Sequence, residues 1–113
     1  MKSPCLPLRL PQRILIQVTY EARKTFAFIR ACIANDRYAL ALHFQQRMEQ
    51  RGLFWPDVLA AIDAPQGMHS PGLDAYGRPK WIIRGMAATG DGIEIVCAIE
   101  IDETEFITLY WED

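Results

Sequence analysis

The chain has 113 residues, half of them hydrophobic and about a quarter charged, with a formal net charge of −2, a mixture typical of globular proteins. This length provides one hydrophobic core and is too short for two ordinary domains. No apolar run approaches the roughly 18 residues that span a bilayer, so we expect no membrane-spanning helix. Residues 1–51 carry nine Lys and Arg against three Asp and Glu, whereas residues 52–113 carry three against eleven. The asymmetry is typical either of a basic helical face that meets an anion or of two ordinary solvated faces.

Residues 1–18 differ in composition from the rest of the chain. Three prolines and Arg9 interrupt the apolar stretch that a signal peptide would need. We therefore expect an extended N-terminal arm over residues 1–18, followed by one α+β domain over residues 19–113. Cys5, Cys32 and Cys97 form no Cys-x-x-Cys pair and no disulfide framework, which favours packing roles in a reducing, cytoplasmic compartment.

The first half of the chain predicts two to three helices. A first helix is expected from about Glu21 to Ala34, with Thr19 as its N-cap and apolar residues along one side. Helical spacing then predicts a second helix from Tyr38 to Arg51, which ends at Gly52, a residue suited to a left-handed C-cap. A short third helix should begin at Pro56.

From Met68 onward the period of the apolar pattern changes from about 3.6 to about 2, which indicates strands. A short edge strand and a turn are expected over residues 68–79, followed by strands over residues 80–86, 93–102 and 106–111. The last strand is predicted to bury Ile107, Leu109 and Trp111. Because short turns join these runs, the sequence predicts an α+β fold. Two to three N-terminal helices would pack on a C-terminal antiparallel sheet of three to four strands.

A cluster of polar side chains on the second helix is the first candidate site. His43, Arg47 and Arg51 are spaced four residues apart and would line one edge of the helix. Gln46 and Gln50 flank that edge. Two guanidinium groups and an imidazole suit a phosphate, because arginine gives bidentate contacts and histidine transfers protons near neutral pH. The same pattern is also typical of a solvated helix face with a histidine that packs against the sheet. No metal motif accompanies the two histidines of the chain, so we expect neither a metal nor another cofactor.

The last two strands supply further candidates. Thr108 and Tyr110 should lie on the face opposite the buried side chains, open to solvent or to a cleft. Tyr110 could there stack on a base or donate a proton, and such a tyrosine is also a common cross-strand packing partner. Lys80, Arg84 and His69 are weaker binding candidates on the preceding strands.

The segment from His43 to Leu53, H-F-Q-Q-R-M-E-Q-R-G-L, resembles a widespread bacterial family catalogued as a domain of unknown function. Members of that family open with an H-x-x-x-R-M-x-x-R-G-[IL] helix and close with a strand near I-T-[VL]-Y, here residues 107–110. The resemblance covers roughly residues 38–111. More distantly, the order of elements is similar to that of the motility quorum-sensing regulator (MqsR) toxins, which are similar in fold to RelE and barnase-like ribonucleases.

The resemblance to these toxins implies metal-independent RNA cleavage and an antitoxin as protein partner. It assigns His43 the role of base or acid and Tyr110 that of a helper, while Arg47 and Arg51 would hold the phosphate. Two other interpretations stay open. One is a non-catalytic module that binds a protein or a nucleic acid through the same helix edge. The other is a structural domain in which this edge serves helix–sheet packing.

Overall fold

A computed structural model describes residues 19–112 of the chain, so the interpretation of residues 1–18 as an arm lies outside the described residues. Three helices and five strands form an α+β fold, which confirms the predicted class. The elements are α1 (Tyr20–Ala34), β1 (Tyr38–Leu40), α2 (Leu42–Gln50), α3 (Trp55–Asp63), β2 (Gly67–Leu73), β3 (Pro79–Met86), β4 (Gly92–Ile99) and β5 (Thr104–Trp111). None of these helices has the length and hydropathy to cross a bilayer.

Helices α1 and α2 end where local sequence signals predict. The Thr19 hydroxyl accepts a hydrogen bond from the Ala22 amide at 3.0 Å, which caps the start of α1. Gly52 follows α2 with a φ of 67°, a left-handed conformation that glycine adopts without a steric penalty. In this conformation the Leu53 amide reaches back to the Met48 carbonyl at 2.9 Å, so the last turn of α2 is closed.

The prediction that the second helix begins at Tyr38 is wrong, because residues 38–40 form a strand. This strand, β1, pairs in parallel with residues 104–106 of β5. The Ala41 amide extends the pairing by donating to the Phe106 carbonyl at 2.9 Å, and α2 begins at Leu42. Backbone pairing with a distant segment therefore overrides the helical spacing of the side chains.

The sheet has five strands in the order β1-β5-β4-β3-β2, one more strand than expected. Strands β2 to β5 form the predicted antiparallel meander, and the parallel strand β1 makes the sheet mixed. Strand β4 ends at Ile99 instead of continuing to residue 102. Ile101, which the alternating pattern placed in that strand, is 98% exposed.

A β-bulge in β5 changes which side chains face the helices. Thr108 pairs with Val96 and Phe106 pairs with Cys97, so Ile107 is an extra residue between two regular pairs. Phe106 and Leu109 are fully buried in the core. Ile107 instead joins Thr108 on the opposite face, which corrects the prediction that it lies in the core.

The three helices cover one face of the sheet, and the hydrophobic core lies between them. Its largest fully buried side chains include Ile29, Phe44, Ile62, Ile83 and Ile95. Two cysteines have the predicted packing role, since Cys32 and Cys97 are both fully buried. Burial raises the pKa of the Cys97 thiol to about 12. The other face of the sheet carries no described helix, and we call it the open face.

Candidate functional site

The edge of α2 that carries the predicted arginines packs against β5. Arg47 donates a hydrogen bond from Nε to the Leu109 carbonyl at 3.0 Å, and its guanidinium carbon lies 5.5 Å from the centre of the Tyr110 ring. One turn later, the guanidinium of Arg51 lies 4.4 Å from the centre of the Trp111 ring. These contacts bring Arg47 to Tyr110, a pairing that sequence spacing alone does not define. We call this surface the α2–β5 border, made of His43, Arg47, Arg51, Tyr110 and Trp111.

Water reaches most of the α2–β5 border. His43 and Arg51 are exposed, Arg47 is half-buried, and Tyr110 is 49% exposed. His43 lies in the first turn of α2, four residues before Arg47, which corresponds to about 6 Å along the helix axis. The His43 side chain is open to solvent.

The two arginines of the border differ in their charge partners from Arg30, Arg78 and Arg84. Within residues 19–112, no carboxylate forms an ion pair with Arg47 or Arg51. In contrast, Arg84, a predicted binding residue, contacts Glu112 at 3.0 Å and Glu94 at 4.0 Å. The positive charge of the border is thus available for an anion, whereas the charge of Arg84 is already compensated.

Of the two glutamines beside the predicted edge, Gln46 lies away from the border. Gln46 lines a separate hollow of about 340 Å³ next to Leu40, Leu53 and Phe54. The Gln50 side chain is exposed near the end of α2. Their expected role in binding remains a prediction.

A groove of about 570 Å³ lies on the open face of the sheet. It is bordered by Pro71 on the edge strand β2 and by Ala41 just before α2. Two predicted residues, Thr108 and Lys80, line it, and Tyr110 belongs both to the groove and to the α2–β5 border. The groove and the border are therefore continuous. The floor of the groove is apolar and includes Ile82 of β3 and Val96 of β4. The sequence analysis missed this floor, although the alternation in both strands places the two side chains on one face.

One end of the groove carries a compact charged network around Arg78, also missed by the sequence analysis. The Arg78 guanidinium bonds to Asp74, Glu100 and Glu105, each at 2.8 Å. Burial alone would lower the pKa of Arg78, but hydrogen bonds to the three carboxylates raise it above its ordinary value. Burial would likewise raise the pKa of Asp74, and hydrogen bonds from Arg78 and from the Tyr76 amide hold it below 3.8. With three carboxylates around one guanidinium, this end of the groove is acidic.

The two histidines lie on opposite sides of the sheet. His43 is on α2 beside β5, whereas His69 is exposed on the edge strand β2, opposite Ile82 of β3. Among residues 19–112, no group of three or more His, Cys, Asp or Glu side chains could hold a metal ion.

The fold and the site together define a small α+β domain with a water-accessible cation–aromatic border beside a groove on the open face of its sheet. A family model described as Domain of unknown function (DUF4258) matches residues 40–111, well over half of the chain, and the chain belongs to this family. The matched region contains the whole α2–β5 border and leaves out α1. Comparisons with curated proteins and with solved structures give no significant match.

Proposed function

We propose that the domain is a metal-independent ribonuclease of the toxin type, in which the α2–β5 border binds and cleaves an RNA strand. The observation that carries the proposal is the position of Arg47. Its guanidinium is fixed by the Leu109 carbonyl and the Tyr110 ring, and no described carboxylate neutralises it. A fixed, uncompensated guanidinium one helical turn after an exposed histidine suits a phosphodiester.

The proposed reaction needs one proton acceptor and one proton donor. The ribose 2′-oxygen attacks the adjacent phosphorus, and the bond from phosphorus to the 5′-oxygen breaks, which gives a cyclic phosphate and a 5′-hydroxyl. His43 accepts the proton of the 2′-hydroxyl, and Tyr110 gives its phenolic proton to the leaving 5′-oxygen. Exchange with water restores both groups. Arg47 and Arg51 stabilise the negative charge that develops on the phosphate oxygens.

Two features of the chain support RNA as the substrate. Tyr110 is half-exposed and offers a ring on which a base can stack. The order of elements resembles that of the MqsR toxins, which are similar in fold to RelE and barnase-like ribonucleases. An antitoxin would then act as a protein partner that covers the α2–β5 border.

Cleavage of a labelled single-stranded RNA tests the proposal, with a chelator present to check metal independence. We expect His43→Ala to slow cleavage by about 10²-fold or more, which is the usual contribution of a proton-transfer group. The matched control is His69→Ala, which removes the other exposed histidine and should cleave like the wild type. If the wild type fails to cleave, or if His43→Ala cleaves at the wild-type rate, the proposal is refuted.

A second pair of variants tests the phosphate contact. Arg47→Ala should reduce cleavage by about 10²-fold, since it removes a positioned charge from the transition state. The control is Arg23→Ala, which removes the same charge from an exposed position on α1. Thermal melting of each variant separates loss of the site from loss of the fold. Equal activity of both arginine variants would contradict the assignment.

A second candidate function is a non-catalytic RNA-binding module. The observation that favours it is that Arg47 is held by backbone and ring contacts, and such a fixed surface binds phosphate without any proton transfer. In this case filter binding would show salt-dependent RNA affinity that Arg47→Ala weakens, while no product forms and His43→Ala changes nothing.

A further inference from the structure

The groove on the open face has the size and the lining of a site for a small planar group. Its volume of about 570 Å³ lies in the range of small-molecule sites. The apolar side chains of Ile82, Val96 and Ile107 provide a floor, and Tyr110 links this floor to the α2–β5 border. A group bound there would lie beside whatever Arg47 binds.

Thr108 lines the groove and carries an unused hydroxyl, whose oxygen is sealed from solvent in the structure. The residue is only 6% exposed, and its hydroxyl oxygen has no hydrogen-bond partner among residues 19–112. A buried hydroxyl without a partner costs free energy relative to an apolar side chain of the same shape. Rotation about χ1 is the movement by which this hydroxyl would meet a ligand in the groove.

The charges around the groove decide which part of a nucleotide fits at each end. The Arg78 network places three carboxylates around one guanidinium, and this end repels a phosphate. One oxygen of Glu105 accepts from Arg78, and its side chain is 33% exposed, which leaves the carboxylate accessible to another N–H donor. Phosphate is instead attracted to the opposite border, where Arg47 and Arg51 have no described acidic partner.

We propose that the open-face groove holds one nucleobase with an exocyclic amino group, adjacent to the phosphate bound at the α2–β5 border. This proposal rests on RNA as the substrate of the border. The amino group of the base donates to Glu105, Thr108 supplies a second polar contact, and the base lies on the apolar floor. Adenine, cytosine and guanine carry such an amino group, whereas uracil presents a carbonyl oxygen that a carboxylate repels. A base edge that faces Glu105, and not the Lys80 cation that also lines the groove, is therefore disfavoured when the base is uracil.

Cytidine and uridine 5′-monophosphates are the probes, because their bases differ at one position, an amino group against a carbonyl oxygen. Binding to the full chain is followed by changes in backbone amide NMR signals, which also locate the ligand. We expect the cytidine nucleotide to bind about five- to tenfold more tightly and to shift the signals of Val96 and Thr108. Glu105→Gln, whose amide oxygen can still accept from Arg78, should reduce this preference to about twofold or less.

Thr108→Val tests the hydroxyl at constant shape and should weaken cytidine nucleotide binding about three- to tenfold. The matched control is Thr104→Val, because the Thr104 hydroxyl also lacks a partner among the described residues but does not line the groove. Equal binding of the two nucleotides, absence of shifts in the groove, or equal effects of both threonine variants would overturn the proposal. Because these measurements require no cleavage, selective nucleotide binding by a protein that does not cleave RNA would refute only the proposed enzyme activity.

Discussion

The close approach of α3 to the sheet at Gly85 allows a quantitative test of the packing. A Cβ atom added at Gly85 would lie 2.5 Å from the carbonyl oxygen of Ala61 and 3.1 Å from two further backbone atoms of that residue. Ordinary contact begins at 3.4 Å, so strand and helix would have to separate by about 0.9 Å. Because the obstacle is helix backbone, no side-chain rotation relieves it. We expect Gly85→Ala to lower the free energy of unfolding by about 2–3 kcal/mol, the upper part of the range for overpacked cores.

Urea unfolding monitored by tryptophan fluorescence measures this loss. With a slope of about 1.5 kcal/mol per molar urea, the midpoint should fall by about 1.3–2 M. Gly67→Ala is the matched control, since its Cβ would lie 3.6 Å from the flexible end of the Arg84 side chain. Both variants share the intrinsic gain of up to about 1 kcal/mol that alanine has over glycine in a strand. If the two midpoints move by the same amount, the contact between Gly85 and α3 is not the tight one described.

Three further expectations concern single side chains. Arg47→Ala removes a hydrogen bond to a strand carbonyl and a ring contact, so it should lower the free energy of unfolding by about 1–2 kcal/mol. Arg51→Ala removes only a ring contact and should lower it by less than about 1 kcal/mol. Urea titration compares the two variants, and equal losses would contradict these contacts. The pKa of Asp74 is lowered in the folded protein by hydrogen bonds from Arg78, so the unfolded chain binds this proton more readily and stability is lost as the pH falls below about 3.8. Melting curves from about pH 5 to about pH 2.5 should therefore fall less steeply for Asp74→Asn, and parallel curves would argue against the ion pair. Because burial raises the pKa of Cys97 to about 12, iodoacetamide should label this thiol only in the unfolded protein. Peptide mapping with and without urea measures the labelling. Fast labelling of the folded protein would contradict the burial of Cys97.

Features set by neighbouring residues could be predicted from the sequence. The Thr19 cap, the left-handed Gly52 and the meander of short-turned strands all depend on local chemistry. Strand β1 could not be predicted in this way, because Tyr38 pairs with Thr104, 66 residues later. Residues 38–40 are thus a strand, and not part of a helix, because of a tertiary contact.

In the candidate site, too, local features could be predicted from the sequence and contacts between distant segments could not. Helical spacing places His43, Arg47 and Arg51 on one edge, as the structure confirms for the two arginines by their contacts with β5. Spacing does not reveal that Arg47 meets Tyr110, because that contact depends on how α2 packs beside the strand. The acidic network around Arg78 also joins segments far apart in the chain, and no short pattern indicates it.

The surplus residue in β5 has a consequence for how this domain can vary. Since Ile107 has no pairing partner of its own, its removal would leave the pairs on both sides intact, with Phe106 and Leu109 still directed to the helices. Removing a residue farther from the bulge, such as Glu105, would instead shift the pairing and turn core side chains outward. Position 107 can therefore change in size, or be lost, to reshape the open face independently of the interior.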